Sequence, residues 1–574
     1  MTLSGRAYRK FLATYLSPQR NRVAGLAIAL LGGIGLQVLN PQLMRYFIDT
    51  AVAGGAQRSL LAAALGFMAI AIIRQGLAIA ATYLGETIAW SATNELRLNL
   101  VEHCLHLDLS FHQTHTPGEL VERVDGDVDA LSRFFSQFVL QVVGNGLFVL
   151  GVLGVLWWED WRAGLSLSLF ALFALGILAR LQALAVGPWR VYRQISAEFY
   201  GFVVEHLSGL EDIRANGAVG YVMNRLYLIL RQWLAAFHKA RFTSTLLWGT
   251  TVGLFSVGNA IALAIGAYLW SRNAITIGTV YLLFYYTTLL EDPIERIREE
   301  LEQFQQAAAS FQRIQELLSQ QSQLRAGGQA VLPTGSLSVT FEQVGFSYGE
   351  SPTIDNLSFH LPAGQVLGLL GRTGSGKSTL ARLLLRLYDI QQGEILLGGV
   401  DVAQVPLSDL PHRVGLVTQD VQLFQTTVRN NLTFFNPHVL DEHILQTLAA
   451  LGLTPWLNGL SQGLNTELGA DSGGLSAGQA QLLAFARVFL KDPGLVILDE
   501  ASSRLDPLTE GVIEQAVNRL LENRTGIIIA HRLKTVMRAD QILILEAGRV
   551  LEYGDRIALI KDPHSQFSSL LQSA

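Results

Sequence analysis

The feature that most constrains the fold is a pair of long segments without any charged residue. Residues 134–158 and 242–271 contain no Asp, Glu, Lys or Arg. A helix crosses the apolar core of a bilayer with about 20 residues, so either segment is long enough to span a membrane. A buried helix of a soluble domain rarely stays uncharged over such a length. Both segments therefore predict membrane-spanning helices.

Four further segments fit the same description. Residues 23–44 and 273–290 carry no charge, 163–179 carry none before Arg180, and 59–85 carry only Arg74. The composition agrees, because half of the 574 residues are hydrophobic and 16% are charged, against roughly 25% in soluble domains. The sequence thus predicts six spans.

The orientation follows from the charges that flank the spans. The polar segment 1–22 carries five basic residues and no acidic one, which predicts a cytoplasmic N-terminus, most simply at the plasma membrane. Alternation then makes the outer connections short and the inner connections, 86–133 and 180–241, long. Long connections without structure are uncommon, so we expect the helices to continue well into the cytoplasm.

Arg74 needs a separate interpretation because a charged group within a span is costly. One hypothesis is a contact with an anion or a lipid headgroup in a central cavity. The alternatives are a hydrogen bond between helices and a side chain that extends to the inner interface. The sequence leaves all three open.

The composition changes after Leu290. Residues 291–325 read as a polar helix and 326–335 as a Gly/Pro linker, and beyond them short apolar strands alternate with amphipathic helices. This order predicts an α/β domain with a largely parallel sheet. We therefore expect a cytoplasmic segment (1–22), a transmembrane domain (23–325), a linker (326–335) and an α/β domain (336–574).

A phosphate-binding loop lies between a strand and a helix of the second half. The strand 366–371 leads into the pattern GxxxxGK[ST]. Such a loop turns backbone N–H groups towards phosphates at a helix N-terminus, a lysine neutralises the β- and γ-phosphates, and a hydroxyl ligates Mg²⁺. ATP and Mg²⁺ are the expected cofactors. The predicted contacts are Gly371, Thr373, Gly374, Ser375, Gly376, Lys377, Ser378 and Thr379, with Ser378 on the metal.

A second phosphate motif ends another apolar strand. Residues 495–498 precede Asp499 and Glu500. The strand would deliver Asp499 to the metal, and Glu500 would act on an attacking water as general base. His531 follows the strand 526–530 and could reach the γ-phosphate. We therefore expect a six-helix all-α transmembrane domain followed by an α/β P-loop NTPase domain.

With further motifs the chain resembles the ATP-binding cassette (ABC) transporters, specifically half-transporters with the exporter-type fold. Residues 475–479 (LSAGQ) are similar to the family's signature loop, 503–506 to its D-loop, and 111–127 and 205–214 to its coupling segments. The resemblance implies that Gln419 contacts nucleotide and metal and takes part in catalysis, and that Tyr348 stacks on the adenine. It also implies nucleotide contacts from Ser476, Gly478 and Gln479 across a dimer interface.

The resemblance implies ATP-driven export or flipping of a hydrophobic or amphipathic substrate, which could be a lipid, a drug or a peptide, by alternating access. An importer with the same fold is one alternative. A nucleotide-gated membrane protein that does not pump is another, although it would be expected to lack Glu500 or His531. The expected partners are a second half-transporter and membrane lipids. A net charge of −5 gives no support to nucleic-acid binding.

The signature region departs from the family pattern. Ala477 stands where Gly is usual, Ala480 stands where Arg is common, and 469–474 lacks the frequent Glu-Arg-Gly. The added methyl group is harmless only if the backbone φ of Ala477 is negative. Since this loop would serve the opposite site of a dimer, the departures favour pairing with a different half-transporter. A homodimer is the alternative.

Overall fold

The computed structural model describes the chain except for residues 1–13, 16, 326, 350, 470–474, 500–506, 531–532 and 574. Contacts divide the described residues into two compact units. The first comprises Met1–Leu105 and Pro117–Gln320, and the second comprises His106–Thr116 and Gln321–Ala574. The short segment between the second and third spans therefore groups with the second unit. The domain boundaries taken from the sequence stay a prediction.

The described part of the first unit consists of helices. Among the described residues, 5 helices are long and apolar enough to cross a membrane. They are the first span (Arg20–Val52), the second (Gln57–His106), the third (Pro117–Glu159), the fourth (Trp161–Ser208) and the fifth (Val219–Ser271). The third span contains two π-helical turns, Glu122–Asp127 and Phe138–Gly144, within its α-helical course.

The sixth span is shorter than the uncharged segment 273–290. Its helix covers Ile277–Leu289, and a polar helix follows at Glu291–Ser319. Pro293 causes the break because it has no N–H to offer the carbonyl of Leu289. The Leu290 N–H still donates to the Tyr286 carbonyl at 3.1 Å, so the chain continues in nearly the same course. The predicted helical transmembrane domain of about six spans is confirmed.

The helices extend far beyond the uncharged segments, as the long connections predicted. The second span continues to His106, the fourth continues to Ser208, and the fifth begins at Val219. The short helices Leu109–Thr114 and Leu210–Ala215 lie in the two long connections.

Close packing holds the fourth and fifth spans together. Gly258 leaves room for the ring of Phe170, since a Cβ atom at position 258 would lie 2.4 Å from that ring. The Phe170 ring then meets Phe255 edge-on at 5.7 Å. A buried carboxylate, Asp127, bonds to Arg313 and joins the third span to the helix that follows the sixth.

The described residues of the second unit form two sheets. One has the strand order β2-β1-β4-β5 and is antiparallel, and the other has the order β10-β9-β3-β8-β7-β6 and is parallel except for β10. The strands are β1 (Val339–Phe346), β2 (Ile354–Leu361), β3 (Val366–Gly371), β4 (Gln392–Leu397), β5 (Val400–Asp401), β6 (Val414–Val417), β7 (Leu495–Asp499), β8 (Thr525–Ile529), β9 (Gln541–Glu546) and β10 (Arg549–Asp555).

Helices alternate with these strands. They include the P-loop helix (Lys377–Leu384) and the signature helix (Ala477–Lys491). The others are Leu410–Arg413, Val428–Thr433, Asp441–Ala450, Thr454–Asn458, Pro507–Leu521, Leu533–Val536, Arg556–Lys561 and Gln566–Ser573. The predicted α/β order is confirmed, whereas the separate antiparallel sheet was not predicted.

The parallel sheet is buried on both faces, which explains its uncharged strands. Along β3 and β7, successive residues belong in turn to two apolar clusters: Leu367 and Ile497 lie in one, and Leu370 and Val496 in the other. Because β3, β6, β7 and β8 are parallel, their carboxyl ends meet at one edge of the sheet. Ligands of open α/β sheets bind at this edge.

Candidate active site

The P-loop leaves the carboxyl end of β3 in a backbone conformation that only glycine adopts easily. Gly371 has φ 151° and Gly376 has φ 102°. A Cβ atom at position 371 would lie 2.4 Å from the Leu545 carbonyl oxygen, and one at position 376 would lie 2.6 Å from Ile354. Both positions therefore require glycine for backbone geometry and for space.

Lys377 begins the P-loop helix and reaches back over the loop. Its Nζ donates to the carbonyl oxygens of Gly371 at 2.7 Å and Arg372 at 3.0 Å. Burial lowers the pKa of Lys377, and the Asp499 carboxylate partly opposes this effect. A desolvated ammonium group beside a phosphate-shaped loop is well placed to bind an anion.

The remaining P-loop residues surround the start of this helix. Thr373, Gly374 and Ser378 are exposed at its open side, whereas Thr379 is buried. The Ser375 hydroxyl is buried and has no hydrogen-bond partner among the described residues. A phosphate oxygen would satisfy this hydroxyl, so the residues present fit a nucleotide.

Tyr348 stands beside the P-loop helix with an exposed ring. Its hydroxyl donates to Thr379 Oγ1 at 3.3 Å and accepts from Arg382 at 3.2 Å. The ring packs edge-on against Phe346 at 4.8 Å and Tyr388 at 5.1 Å. These contacts fix the ring while one side stays open for a base.

The carboxyl edge of the sheet collects the other predicted residues. Asp499 ends β7, and Gln419 is exposed two residues after β6. Glu500 and His531, which follow β7 and β8 in sequence, lie outside the described residues, as does the predicted D-loop. The topology therefore brings Asp499 and Gln419 to the edge that carries the P-loop.

Ser476 caps the N-terminus of the signature helix. Its Oγ accepts from the Gln479 N–H at 3.2 Å, and Gln479 Oε1 accepts from the Ser476 N–H at 3.0 Å. This reciprocal arrangement is a capping box. Gly478 is buried in the first turn, and Ser476 is exposed.

Ala477 is the first residue of the signature helix and has no positive φ. The methyl group therefore costs no backbone strain here. The sequence left the sign of this φ open, and the helix start settles it.

Comparisons with known proteins match both halves of the chain. Residues 23–293 match the model of the ABC transporter transmembrane region, and 354–503 match the ABC transporter model. The fatty acid ABC transporter ATP-binding/permease protein of Mycobacterium bovis is 30% identical over 81% of this chain and 74% of its own. The chain belongs to the ABC transporters.

Another relative and a solved structure indicate which type of ABC transporter this chain is. An ATP-dependent lipid A-core flippase of Colwellia psychrerythraea is 29% identical over 96% of this chain and 94% of its own. The structure of a bacterial Atm1-family ABC exporter with ATP bound has a TM-score of 0.81 and 25% identity, covering 96% of this chain and 98% of that one. This ABC transporter is thus an integral membrane half-transporter of the exporter type, which binds ATP and couples its hydrolysis to export or flipping.

Within the transporter's second unit, Asp108 joins the segment between the second and third spans to the residues before the cassette. The buried carboxylate accepts from the Phe111 N–H at 3.1 Å, capping the helix Leu109–Thr114, and from the Gln323 N–H. Burial opposes ionisation, but these and two further hydrogen bonds hold the pKa of Asp108 below its usual value.

Arg386, just after the P-loop helix, continues this connection. Its guanidinium donates to Asp389 Oδ1 at 2.9 Å and to the Arg325 carbonyl at 2.8 Å, while the Arg325 N–H donates to Asp389 Oδ2 at 2.8 Å. Sequence reasoning missed this set of contacts. One signal was available in the sequence. Asp108 lies three residues before Phe111, and Asp is a frequent helix N-cap, so a helix that begins after Asp108 could have been predicted.

In the membrane unit, Arg74 lies half-buried on the second span. No hydrogen bond or ion pair joins it to any other described residue. The alternative of a hydrogen bond between helices is therefore excluded for the described part of the chain.

A cavity of about 710 Å³ lies among the fourth span, the fifth span and the polar helix after the sixth. Trp189 and Trp248 contribute aromatic walls, and Arg193, Glu295 and Arg298 contribute charge. Arg298 is bonded to Glu295, so its charge is compensated. No sequence pattern indicates this cavity, because its walls come from helices that are distant in the chain.

Proposed function

We propose that this transporter moves an anionic amphipath, a lipid with a phosphate or carboxylate headgroup, from the inner leaflet. The observation that carries the proposal is Arg74, a half-buried cation in a span without a partner among the described residues. Such a group is costly in a membrane unless it serves binding or transport. An anionic headgroup would supply the missing counter-charge.

Two further observations support a lipid. The cavity with Trp189 and Trp248 offers apolar walls beside charged groups, as an amphipath requires. The relatives named above include a lipid A-core flippase and a fatty acid transporter. The names of both relatives state that their substrate is a lipid.

ATP hydrolysis would use the residues at the carboxyl edge of the sheet. Ser378, Gln419 and Asp499 carry the oxygen atoms that Mg²⁺ prefers, and the bound ion would neutralise phosphate charge. Lys377 holds the β- and γ-phosphates, Tyr348 stacks on the base, and Ser476, Gly478 and Gln479 hold the γ-phosphate from the opposite cassette. Glu500 accepts a proton from the attacking water, and His531 contacts the γ-phosphate.

The active assembly would be a dimer of two such chains. The helical start at Ala477 removes one reason to expect a different partner, because the methyl group fits the signature helix without strain. The N-terminus and the cassettes would face the cytoplasm at the plasma membrane, given the basic residues before the first span.

The substrate proposal is tested by reconstituting the purified chain in phosphatidylcholine vesicles and measuring ATPase activity. Oleate and dioleoyl phosphatidate should stimulate hydrolysis, whereas neutral dioleoylglycerol should not. Arg74→Gln should raise the half-stimulating concentration at least about tenfold, since hydrogen bonds to charged groups contribute about 1.5–3 kcal/mol. Arg58→Gln is the matched control, because Arg58 is exposed at the start of the second span. Equal stimulation by the neutral lipid, or an unchanged Arg74→Gln variant, would contradict the proposal.

The catalytic assignment is tested with Glu500→Gln. The amide cannot take a proton from water, so hydrolysis should fall about 10²- to 10⁴-fold while ATP binding persists. Turnover within threefold of the native chain would remove Glu500 from this role.

Pairing is tested by cross-linking and ATPase measurements on the chain expressed alone. Cooperative hydrolysis by a cross-linkable dimer is the expected result. An inactive chain that a co-expressed second half-transporter rescues would establish a heterodimer instead.

A further inference from the structure

We propose that the first unit binds one anionic phospholipid of the inner leaflet in a groove between its first three spans. The groove has a volume of about 460 Å³ and every lining residue is apolar. Leu26 and Leu31 line it from the first span, Ile88 from the second, and Phe134 and Phe138 from the third.

The groove has the depth of one leaflet. On the first span it extends from Val23 to Leu31, which is about 12 Å at 1.5 Å per residue. On the third span it extends from Phe134 to Leu147, or about 20 Å. Half of the hydrocarbon core is about 15 Å thick. An acyl chain that enters at Val23 would therefore lie along the groove towards the bilayer centre.

Two cations without an acidic partner among the described residues stand at the polar end of this groove. Arg22 directly precedes Val23, and Arg133 directly precedes Phe134. Both are exposed, and neither forms an ion pair with a described acidic residue. Within the described part of the chain, Arg22 donates to two neutral groups, Gln19 Oε1 and Ser91 Oγ, each at 3.4 Å.

The charges decide which occupant fits. A helix from a second copy of the chain could cover apolar walls but would leave Arg22 and Arg133 without a counter-charge. A phospholipid with a net negative headgroup provides acyl chains for the apolar walls and a counter-charge for the two arginines. The cytoplasmic leaflet is rich in such lipids. The choice of leaflet rests on the proposed orientation, whereas the groove and its charged end do not.

Small residues leave the groove unfilled by side chains. Ala27, Gly85 and Ala89 line it, and a Cβ atom at position 85 would already lie 3.4 Å from Leu140. Ala27 is exposed, so a larger side chain there can enter the groove without displacing the core. Ala27→Phe is therefore a filling variant. Ala24→Phe is its control, because Ala24 is exposed one turn earlier and does not line the groove.

The experiment uses the full chain in phosphatidylcholine nanodiscs. A minor fraction of the lipid is phosphatidylglycerol with a photoreactive diazirine on one acyl chain, and a parallel sample contains phosphatidylcholine with the same label. After irradiation, mass spectrometry measures labelling of the groove-lining segments 85–89 and 134–147. Labelling by phosphatidylglycerol should exceed that by phosphatidylcholine about fivefold or more, as expected for at least one arginine near the lipid charge.

Three variants test the parts of the site separately, and two others serve as controls. Arg22→Gln and Arg133→Gln should each reduce the preference for phosphatidylglycerol, whereas Arg58→Gln should not. Ala27→Phe should reduce labelling by both lipids, whereas Ala24→Phe should leave it unchanged. Equal labelling by the two lipids would overturn the headgroup assignment, and full labelling of Ala27→Phe would overturn the groove. A photoreactive residue at position 27 that cross-links two chains would show that a second copy occupies it.

Discussion

Replacing Asp108 by Ala should loosen the segment 106–116 and the residues before the cassette together. The alanine removes the N-cap of Leu109–Thr114 and the acceptor for the Gln323 N–H. Loss of a cap costs about 0.5–2 kcal/mol, and loss of a hydrogen bond to a charged group costs about 1.5–3 kcal/mol. The local free energy of opening should thus fall by about 2–5 kcal/mol, which is roughly 30-fold to more than a thousandfold in population.

Hydrogen exchange of the chain in nanodiscs measures this change directly. Peptides that cover 106–116 and 321–325 should lose protection in Asp108→Ala. Asp108→Asn should lose less, because its remaining carbonyl oxygen can still cap the helix. Asp160→Ala is the control, since Asp160 caps the fourth span through the Arg162 N–H at 2.8 Å. Unchanged protection of 106–116 in Asp108→Ala would refute the reasoning.

The pH dependence has a defined sign. The folded pKa of Asp108 lies below its usual value, so the carboxylate contributes its full stability above the ordinary aspartate pKa of about 3.9. The contribution disappears as pH falls through the lower, folded pKa. The range from about pH 8 to about pH 6 lies well above the ordinary aspartate pKa. The difference in protection between the native chain and Asp108→Ala should therefore stay constant across this range.

Substitutions at three further positions test the nucleotide site. Lys377→Ala should weaken ATP binding and stop transport, because it removes the ammonium group that lies over the P-loop and would neutralise the β- and γ-phosphates; equal nucleotide affinity in a fluorescent-ATP titration would contradict this. Tyr348→Ala should weaken ATP binding more mildly, by about 1–3 kcal/mol of stacking, and Tyr348→Phe, which keeps the ring, should stay near the native affinity; a large loss in Tyr348→Phe would contradict the stacking role. Ala477→Gly should change ATPase activity less than about twofold, because the helical φ carries no strain to relieve; a large gain would show that the methyl group impairs the site.

The P-loop and the parallel strands could be predicted because their signals are local. Glycine spacing, the lysine and the flanking strand and helix all lie within residues 366–384. The two-sided burial of β3 likewise follows from its uncharged sequence. The capping box at Ser476 and Gln479 was also readable from the spacing S-x-x-Q, and it would have predicted the helical backbone at Ala477.

Other features depend on distant parts of the chain. Asp108 and Gln323 are 215 positions apart, and no local pattern indicates their contact. The π-helical turns of the third span have no sequence signal of this kind. The end of the sixth span at Leu289 was partly readable, because Pro293 interrupts the helical hydrogen bonds. The uncharged segment alone extended further than the helix.

These contacts give the chain a continuous connection from the P-loop helix to the segment between its second and third spans. Arg386 follows the P-loop helix and holds Arg325 and Asp389, and Gln323, two residues before Arg325, is held by Asp108. Every bond in this connection lies within the second unit. A displacement of the P-loop helix would therefore be passed through these bonds to the segment 106–116. Cutting the connection at Asp108 should leave the P-loop and its nucleotide contacts in place while weakening the response of the spans. ATP hydrolysis that persists without lipid stimulation in Asp108→Ala is the behaviour that this arrangement predicts.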